Sequence, residues 1–345
     1  MQKLKLAVIG GGAMSEIIHL PVSADCKYID LAYLVDTSLP RAQQLADKYG
    51  VTFVVDDYRK VIGEVDAAIV ALPNYLHAPV TIDLLRNNIH VLVEKPMALC
   101  VSDCDQMIEA ADKSSAILAV GLPTRFADYA RLIKQMIESK FFGDRIKIEL
   151  RQGGIFSWPI ASDSLFRRHT AGGGVLMDMG PHVFDLLEWW LGDYSNLEYY
   201  DDGFGGVEAN CEVHLQLQCG AAAFVELSRT RNMRNTWIIQ GERGMLEVGF
   251  DFDPLIILKA ANSDMVLVGR ARCGNEGIEA RRNAARELYR RQFDDFLDAI
   301  RSHREPLVPG HQAKHNILLI EECYRARQPL REPWMFPTAE KEACL

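Results

Sequence analysis

The chain of 345 residues has no apolar run approaching the ~18 residues of a membrane-crossing helix. It also lacks a basic excess: 38 Lys and Arg stand against 47 Asp and Glu, and a net charge of −9 opposes unspecific attraction to nucleic acid or anionic membrane. Eight cysteines are scattered without the paired CxxC spacing of zinc or thiol-redox sites, and reduced, structural thiols are expected. There is no internal repeat and no low-complexity linker. Met1-Gln2-Lys3-Leu4-Lys5 runs into Leu6-Ala7-Val8-Ile9 without a signal-peptide pattern, so a cytoplasmic location is expected. What remains is ordinary globular composition, 48% hydrophobic and 25% charged, over a length that suits two domains at roughly 150 residues each.

From Leu6 to about Val120, short apolar runs alternate with stretches of helical period. Leu6–Ile9, Leu31–Val35, Ala67–Leu72, His90–Val93 and Ile117–Val120 read as buried strands joined by crossover helices, the pattern of a parallel, doubly wound sheet. One such helix, Arg41–Tyr49, is closed by Gly50, a residue suited to a left-handed cap. Beyond Pro123 the pattern changes. A helix over 128–139 precedes strands over 145–152, 208–218, 222–230 and 236–240 with no helices between the later ones, as in a mostly antiparallel sheet. Helices over 278–302 and 312–327 follow, giving an α/β domain over 1–122 and an α+β domain over 123–345.

Directly after the first strand stands Gly10-Gly11-Gly12-Ala13-Met14-Ser15. In a GxGxxG-type loop the first glycine makes the turn, the second admits a pyrophosphate to the backbone, and the helix that follows offers free amides and its positive dipole end. Ser15 replaces the small third residue, and a three-glycine loop alone can equally be an ordinary turn. A second strand, however, ends in Leu34-Val35-Asp36, and Asp36 lies 24 residues after Gly12, where a carboxylate accepts hydrogen bonds from an adenosine ribose. Asp36 would repel a 2′-phosphate, and Thr37 and Ser38 supply no adjacent arginine, which favours NAD over NADP; Arg41 reads as a solvated residue of the next helix.

The later strands end in Leu72-Pro73-Asn74-Tyr75-Leu76-His77 and in Val93-Glu94-Lys95-Pro96. Carboxyl ends of a doubly wound sheet line the ligand crevice, so Lys95, after an apolar strand and before a proline, should point into it. With this motif, and with Gly172-Gly173-Gly174-Val175-Leu176-Met177-Asp178-Met179-Gly180-Pro181-His182 in the second half, the chain resembles the Gfo/Idh/MocA oxidoreductases over nearly its whole length. The resemblance implies an N-terminal Rossmann domain and an open mixed sheet that makes dimer or tetramer contacts. It implies Lys95, Asp178 and His182 as catalytic residues. It also implies Gly10, Gly12, Asp36, Asn74, His77 and Glu94 as cofactor contacts, with Ala13, Met14, Leu72 and Lys95 on the same surface. By the same resemblance the segment holding Trp158, Arg167 and Arg168 approaches substrate, Arg168 being the expected contact alongside Lys95, Asp178 and His182.

Asp178 and His182 are four apart and share a face if the segment is helical, although Pro181 would bend it. From spacing alone His182 reads rather as a buried structural histidine; with Lys95 and the nucleotide loop present the catalytic reading is preferred. No metal is expected: Asp178, His182 and Asp185 match ligand types, but the family uses none, and His311 with His315 reads as a solvated helix start. Arg229, Arg231 and Arg234 can bind a substrate phosphate or mark a sheet edge or subunit interface, the second being preferred. The expected activity is NAD-dependent hydride transfer from a secondary hydroxyl of a sugar, cyclitol or sugar derivative. In it His182 is the general base, Lys95 stabilises the alkoxide, and Asp178 orients the histidine or binds a neighbouring hydroxyl. Two alternatives remain: a redox-neutral enzyme that retains NAD while it epimerises a substrate or cleaves a glycoside, and a non-catalytic NAD-binding sensor.

Overall fold

The computed structural model describes residues 3–157, 159, 163–249, 255–270 and 278–330. Six short strands, β1 (Leu4–Ile9), β2 (Ile29–Val35), β3 (Phe53–Val55), β4 (Ala67–Val70), β5 (His90–Glu94) and β6 (Leu118–Gly121), form an all-parallel sheet in the order β3-β2-β1-β4-β5-β6. Strand order reverses between β1 and β4, so their carboxyl ends open a crevice bounded by Gly10, Asp36, Ala71 and Lys95. The pleat sends Leu6 and Val8 into one hydrophobic cluster and Ala7 and Ile9 into another on the opposite face. Both faces are therefore covered, as continuous apolar strands require.

The connecting helices are α1 (Leu20–Ala24), α2 (Leu39–Tyr49), α3 (His77–Arg86) and α4 (Val101–Asp112). A wide π-type turn over Ser15–His19 leads into α1. Pro21 has no amide to give that turn. The two carbonyls it would otherwise serve are satisfied from elsewhere: Ile17 O accepts from Arg286 Nε at 3.2 Å, and Glu16 O from the Tyr49 hydroxyl at 2.9 Å.

The second half begins with α5 (Asp128–Glu138) and continues through β7 (Ile146–Gly153), α6 (Arg168–Ala171), α7 (Val175–Leu191), β8 (Tyr194–Asp201), β9 (Asn210–Leu217) and β10 (Ala222–Ser228). Next come β11 (Thr236–Gly241), β12 (Gly244–Gly249), β13 (Leu255–Ala260), β14 (Val266–Arg270), α8 (Ile278–Ser302), α9 (Gly310–Arg325) and β15 (Arg327–Pro329). The sheet order is β14-β13-β12-β11-β7-β10-β9-β8-β15, mixed because β7 runs parallel to β10 and β15 parallel to β8. α7 lies under this sheet, with Leu176, Val183, Phe184, Leu187 and Trp190 sharing a cluster with Leu150, Val225 and Trp237.

The chain beyond residue 123 is not confined to the second sheet. Phe293, Phe296, Leu297 and Ile300 of α8 complete the cluster that holds Leu6 and Val8, while Val308, Ala313 and Ile317 join the one that holds Ala7 and Ile9. His311 and His315 stand exposed on α9, beside Glu305 and Asp193 respectively. Among the described residues no group of three His, Cys, Asp or Glu side chains is placed to hold a metal, and no helix is long and apolar enough to cross a membrane.

A buried ion pair ties these layers together. Arg125, 3% exposed, grips Asp185 of α7, 0% exposed, through Nε at 2.9 Å and Nη2 at 2.7 Å. Its remaining nitrogen reaches Gln312 Oε1 at 2.5 Å and Leu307 O at 3.2 Å. Removing one partner leaves a buried charge unpaired. Arg125→Ala is accordingly expected to destabilise the fold by about 3–5 kcal/mol, read by urea denaturation.

Candidate active site

The glycine turn is shaped by close approach to the neighbouring strand. Gly10 has φ +102°, and a Cβ there would collide with the carbonyl of Ala71. A Cβ at Gly12 would instead meet nothing within 4 Å, so the loop leaves open the space that a pyrophosphate needs. Ser15 fits the tight third position because it is fully buried and its hydroxyl bonds the carbonyl of Gly10. Ala13 and Met14 start the helix, and Met14 also packs on the cluster beneath the sheet. Asp36 Oδ2 accepts from Gly11 N–H at 2.7 Å and Oδ1 from Ser38 N–H at 2.7 Å, which orients the carboxylate and leaves lone pairs for a ribose. Arg41 is not merely solvated: its Nε donates to Gly11 O at 2.7 Å and its Nη2 to Glu16 at 2.9 Å, locking the loop from the α2 side.

On the opposite wall, Leu72 and His77 brace the turn. The two ring nitrogens of His77 lie 2.7 Å from Pro96 O and 2.8 Å from Leu72 O, and burial pushes its pKa down. Asn74 Nδ2 donates to Ala171 O at 2.9 Å, linking this wall to α6. Glu94 is a buried strut. Its Oε1 lies 2.8 Å from His19 Nε2, and its Oε2 accepts from Lys95 N–H at 3.2 Å. Burial pushes the Glu94 pKa up, but the bond and charge of His19, with Lys95 and His182, outweigh it and hold the carboxyl below its usual range. No sequence signal marked His19, which reaches Glu94 only because the π-type turn carries it across the sheet end.

Lys95 crosses to the second half of the molecule. Its Nζ donates to Asp178 Oδ1 and to Asp178 O, both at 2.8 Å. Burial is the main cause that pulls its pKa down to about 8; the Glu94 charge opposes this and Arg229 adds to it. α7 continues through Pro181, which removes the amide that Met177 O would accept, and one residue further the carbonyl of Asp178 serves Lys95. The helix start is fixed by Glu208, whose Oε1 accepts from Gly174 N–H and Leu176 N–H at 3.0 Å each and from the Tyr324 hydroxyl at 2.8 Å. Gly174 is needed there because a Cβ would overlap the backbone of Glu208.

His182 lies on α7, near Lys95 and Glu94. Burial, reinforced by the nearby Lys95 charge, pulls its pKa down to about 3 although Glu94 opposes this, so the imidazole is neutral and a weak base. Its Nδ1 is buried with no hydrogen-bond partner among the described residues, and Asp178 is engaged with cations rather than with this ring. Arg168 is exposed at the head of α6 and donates to Gly205 O at 3.2 Å; Trp158 lies outside the described residues. Of the three arginines after β10, Arg231 pairs with Glu226 and Arg234 with Glu247 on the sheet. Arg229 enters the site instead and pairs with Asp178 Oδ2. Arg229 keeps the parity of the buried Ala223, Val225 and Leu227, although Glu226 and Ser228 of the other parity are buried at this end of the strand as well.

A crevice with room for a pyrophosphate on one wall and, on the other, a lysine whose pKa burial pulls down to about 8 suits a dinucleotide-dependent oxidoreductase. Known proteins give that class its family: residues 4–122 match the GFO/IDH/MocA oxidoreductase family, NAD-binding Rossmann fold, and residues 130–247 match the GFO/IDH/MocA C-terminal domain. The chain belongs to the GFO/IDH/MocA family. It is 25% identical over 344 residues to a myo-inositol 2-dehydrogenase of Thermotoga maritima, covering 95% of this chain and 97% of that one. It is 29% identical over 194 residues to a D-glucoside 3-dehydrogenase of Escherichia coli, a match that spans 55% of this chain and only 54% of that relative. An aldose-aldose oxidoreductase from Caulobacter crescentus, solved with glycerol, superposes with a TM-score of 0.80 at 25% identity, covering 94% of this chain and 97% of that one.

The two loop glycines separate folding from cofactor binding. Gly12→Ala is expected to leave the melting temperature unchanged while weakening NADH binding at least ~10-fold in a fluorescence titration, because its methyl enters the pyrophosphate space. Gly10→Ala is expected to lower the melting temperature itself.

Proposed function

We propose that the chain is an NAD-dependent dehydrogenase acting on a secondary hydroxyl of a sugar, cyclitol or sugar derivative, with Lys95 as the proton carrier. The observation that carries this reading is the pair of bonds from Lys95 Nζ to Asp178. A neutral amine has two N–H groups and one lone pair; with both N–H groups given to Asp178, the lone pair is left to accept the hydroxyl proton. The protonated form offers its third N–H at the same place, which stabilises the substrate oxygen in the reverse direction. NAD supplies the hydride acceptor when bound, held by Gly10, Gly12, Ala13, Met14 and Asp36 on one side and by the wall from Leu72 to His77 on the other. His182, neutral, holds a substrate hydroxyl by hydrogen bonding rather than taking its proton, a shift from the base that its residue type suggests. Arg168, at the rim, contacts outlying substituents.

The substrate class is supported by the names of the relatives, which include dehydrogenases of myo-inositol and of D-glucosides. The test is NADH absorbance with purified protein and a panel of inositols, aldoses, amino sugars and nucleotide sugars, with NAD+ and NADP+ in parallel. A signal confined to NAD+ is expected, and silence across the panel with nucleotide retained through purification would favour the redox-neutral or sensor reading. Lys95→Ala is expected to lower turnover by ~10²–10⁴-fold while NADH still binds. Oxidation needs the neutral amine, so its rate should rise with pH through about 8, and reduction should fall over the same interval.

We also propose self-association through the second sheet. Val266, Leu267 and Val268 of β14, the terminal strand of the sheet among the described residues, are exposed, with Leu255 of the adjoining β13 exposed beside them; sheets ordinarily cover or pair such an edge. Light scattering after size exclusion is expected to give a dimer or tetramer, and Leu267→Lys to shift it toward monomer.

A further inference from the structure

Arg229 follows β10 directly, and its backbone is fixed from both sides. Its amide donates to Ala209 O at 2.8 Å, and its carbonyl accepts from Phe156 N–H at 3.0 Å. The guanidinium lies over the Phe156 ring, 5.1 Å from the centroid, and pairs with Asp178 Oδ2, the oxygen opposite the one that receives Lys95. One carboxylate thus serves two cations from different sheets. An aspartate alone against a lysine favours the ammonium form, and a second cation on the same carboxylate removes part of that pull.

We propose that Arg229 is a positioning residue that acts through Asp178: it grips Oδ2, presents Oδ1 to Lys95 and offsets the carboxylate's charge there. The inference deepens the dehydrogenase reading, in which Lys95 carries the proton, and it adds a residue on the sheet side of the site. The charged and titratable groups around Lys95 are Glu94 of β5 with its partner His19, His77 of α3, Asp178 and His182 of α7, and Arg229. Of these, Arg229 alone combines a permanent positive charge with a direct hold on the lysine's counter-ion. Without it, Asp178 would act on Lys95 undiluted and could turn away from it.

Two measurements on Arg229→Gln and Arg229→Lys test this. Competitive acetylation of the folded protein across pH, with the Lys95 peptide quantified by mass spectrometry, reads the lysine's ionisation without turnover. The pH profile of kcat/KM reads its consequence. In Arg229→Gln both the labelling midpoint and the acid limb are expected to move up by about one pH unit, and Arg229→Lys should restore most of the shift. An unmoved labelling midpoint in folded Arg229→Gln overturns the proposal. A moved midpoint with no matching limb would instead sink Lys95 as the proton carrier and leave the role of Arg229 standing. Asp178→Asn provides a second route should Arg229→Gln not fold. It leaves both cations without their shared anion, so the Lys95 midpoint should drop, and an unchanged midpoint overturns the proposal equally.

Discussion

The contact between Lys95 and Asp178 is the constraint around which the rest of the molecule is arranged. It joins the end of a strand in one sheet to a helix that belongs to the other, and a hydrogen bond of 2.8 Å tolerates little drift in either. Each side is therefore anchored more than once. Beneath Lys95, Glu94 is pinned by His19. At the head of α7, Glu208 satisfies two of the free amides that every helix start presents, and further along the same helix Arg125 grips Asp185. These groups are buried polar side chains whose cost of desolvation is offset by specific partners.

Burial lowers the pKa of both basic groups of the site, Lys95 and His182. A lysine brought down to about 8 exchanges protons near neutrality, whereas a histidine brought down to about 3 is a neutral hydrogen-bonding ring. The Lys95 charge adds to burial in holding the histidine neutral. The intrinsic order of the two side chains is kept, and the histidine departs further from its ordinary value than the lysine does.

Much of this was legible in the sequence, and the reasons are local. Strands β1, β2, β4, β5 and β6 announce themselves because both faces of the sheet are buried and the runs are uniformly apolar. The three-residue β3 is too short, and β13 and β14 are too exposed, to do so. Lys95, Asp178 and His182 were readable because motif and spacing fix them. Their electrostatics were not: the environment of His182 depends on Lys95 and Glu94, each more than 80 residues away in sequence, and no pattern along the chain encodes it. Glu208 was invisible for the same reason, since its role exists only once β9 brings it under the glycine run. Arg229 keeps the parity of Ala223, Val225 and Leu227, but Glu226 and Ser228 are buried too, so its place in the site depends on Asp178 across the fold.

The missing amide of Pro21 has a consequence for how the molecule is made. The carbonyl it leaves open at Ile17 is closed by Arg286, 269 residues later, on a helix whose Phe293, Phe296 and Leu297 also complete the core behind β1. The nucleotide-binding half emerges first from the ribosome, yet its first helix and one face of its sheet stay unfinished until the chain has been synthesised past α8. A chain that stalls before α8 is left with that apolar face exposed, a surface that chaperones and proteases recognise.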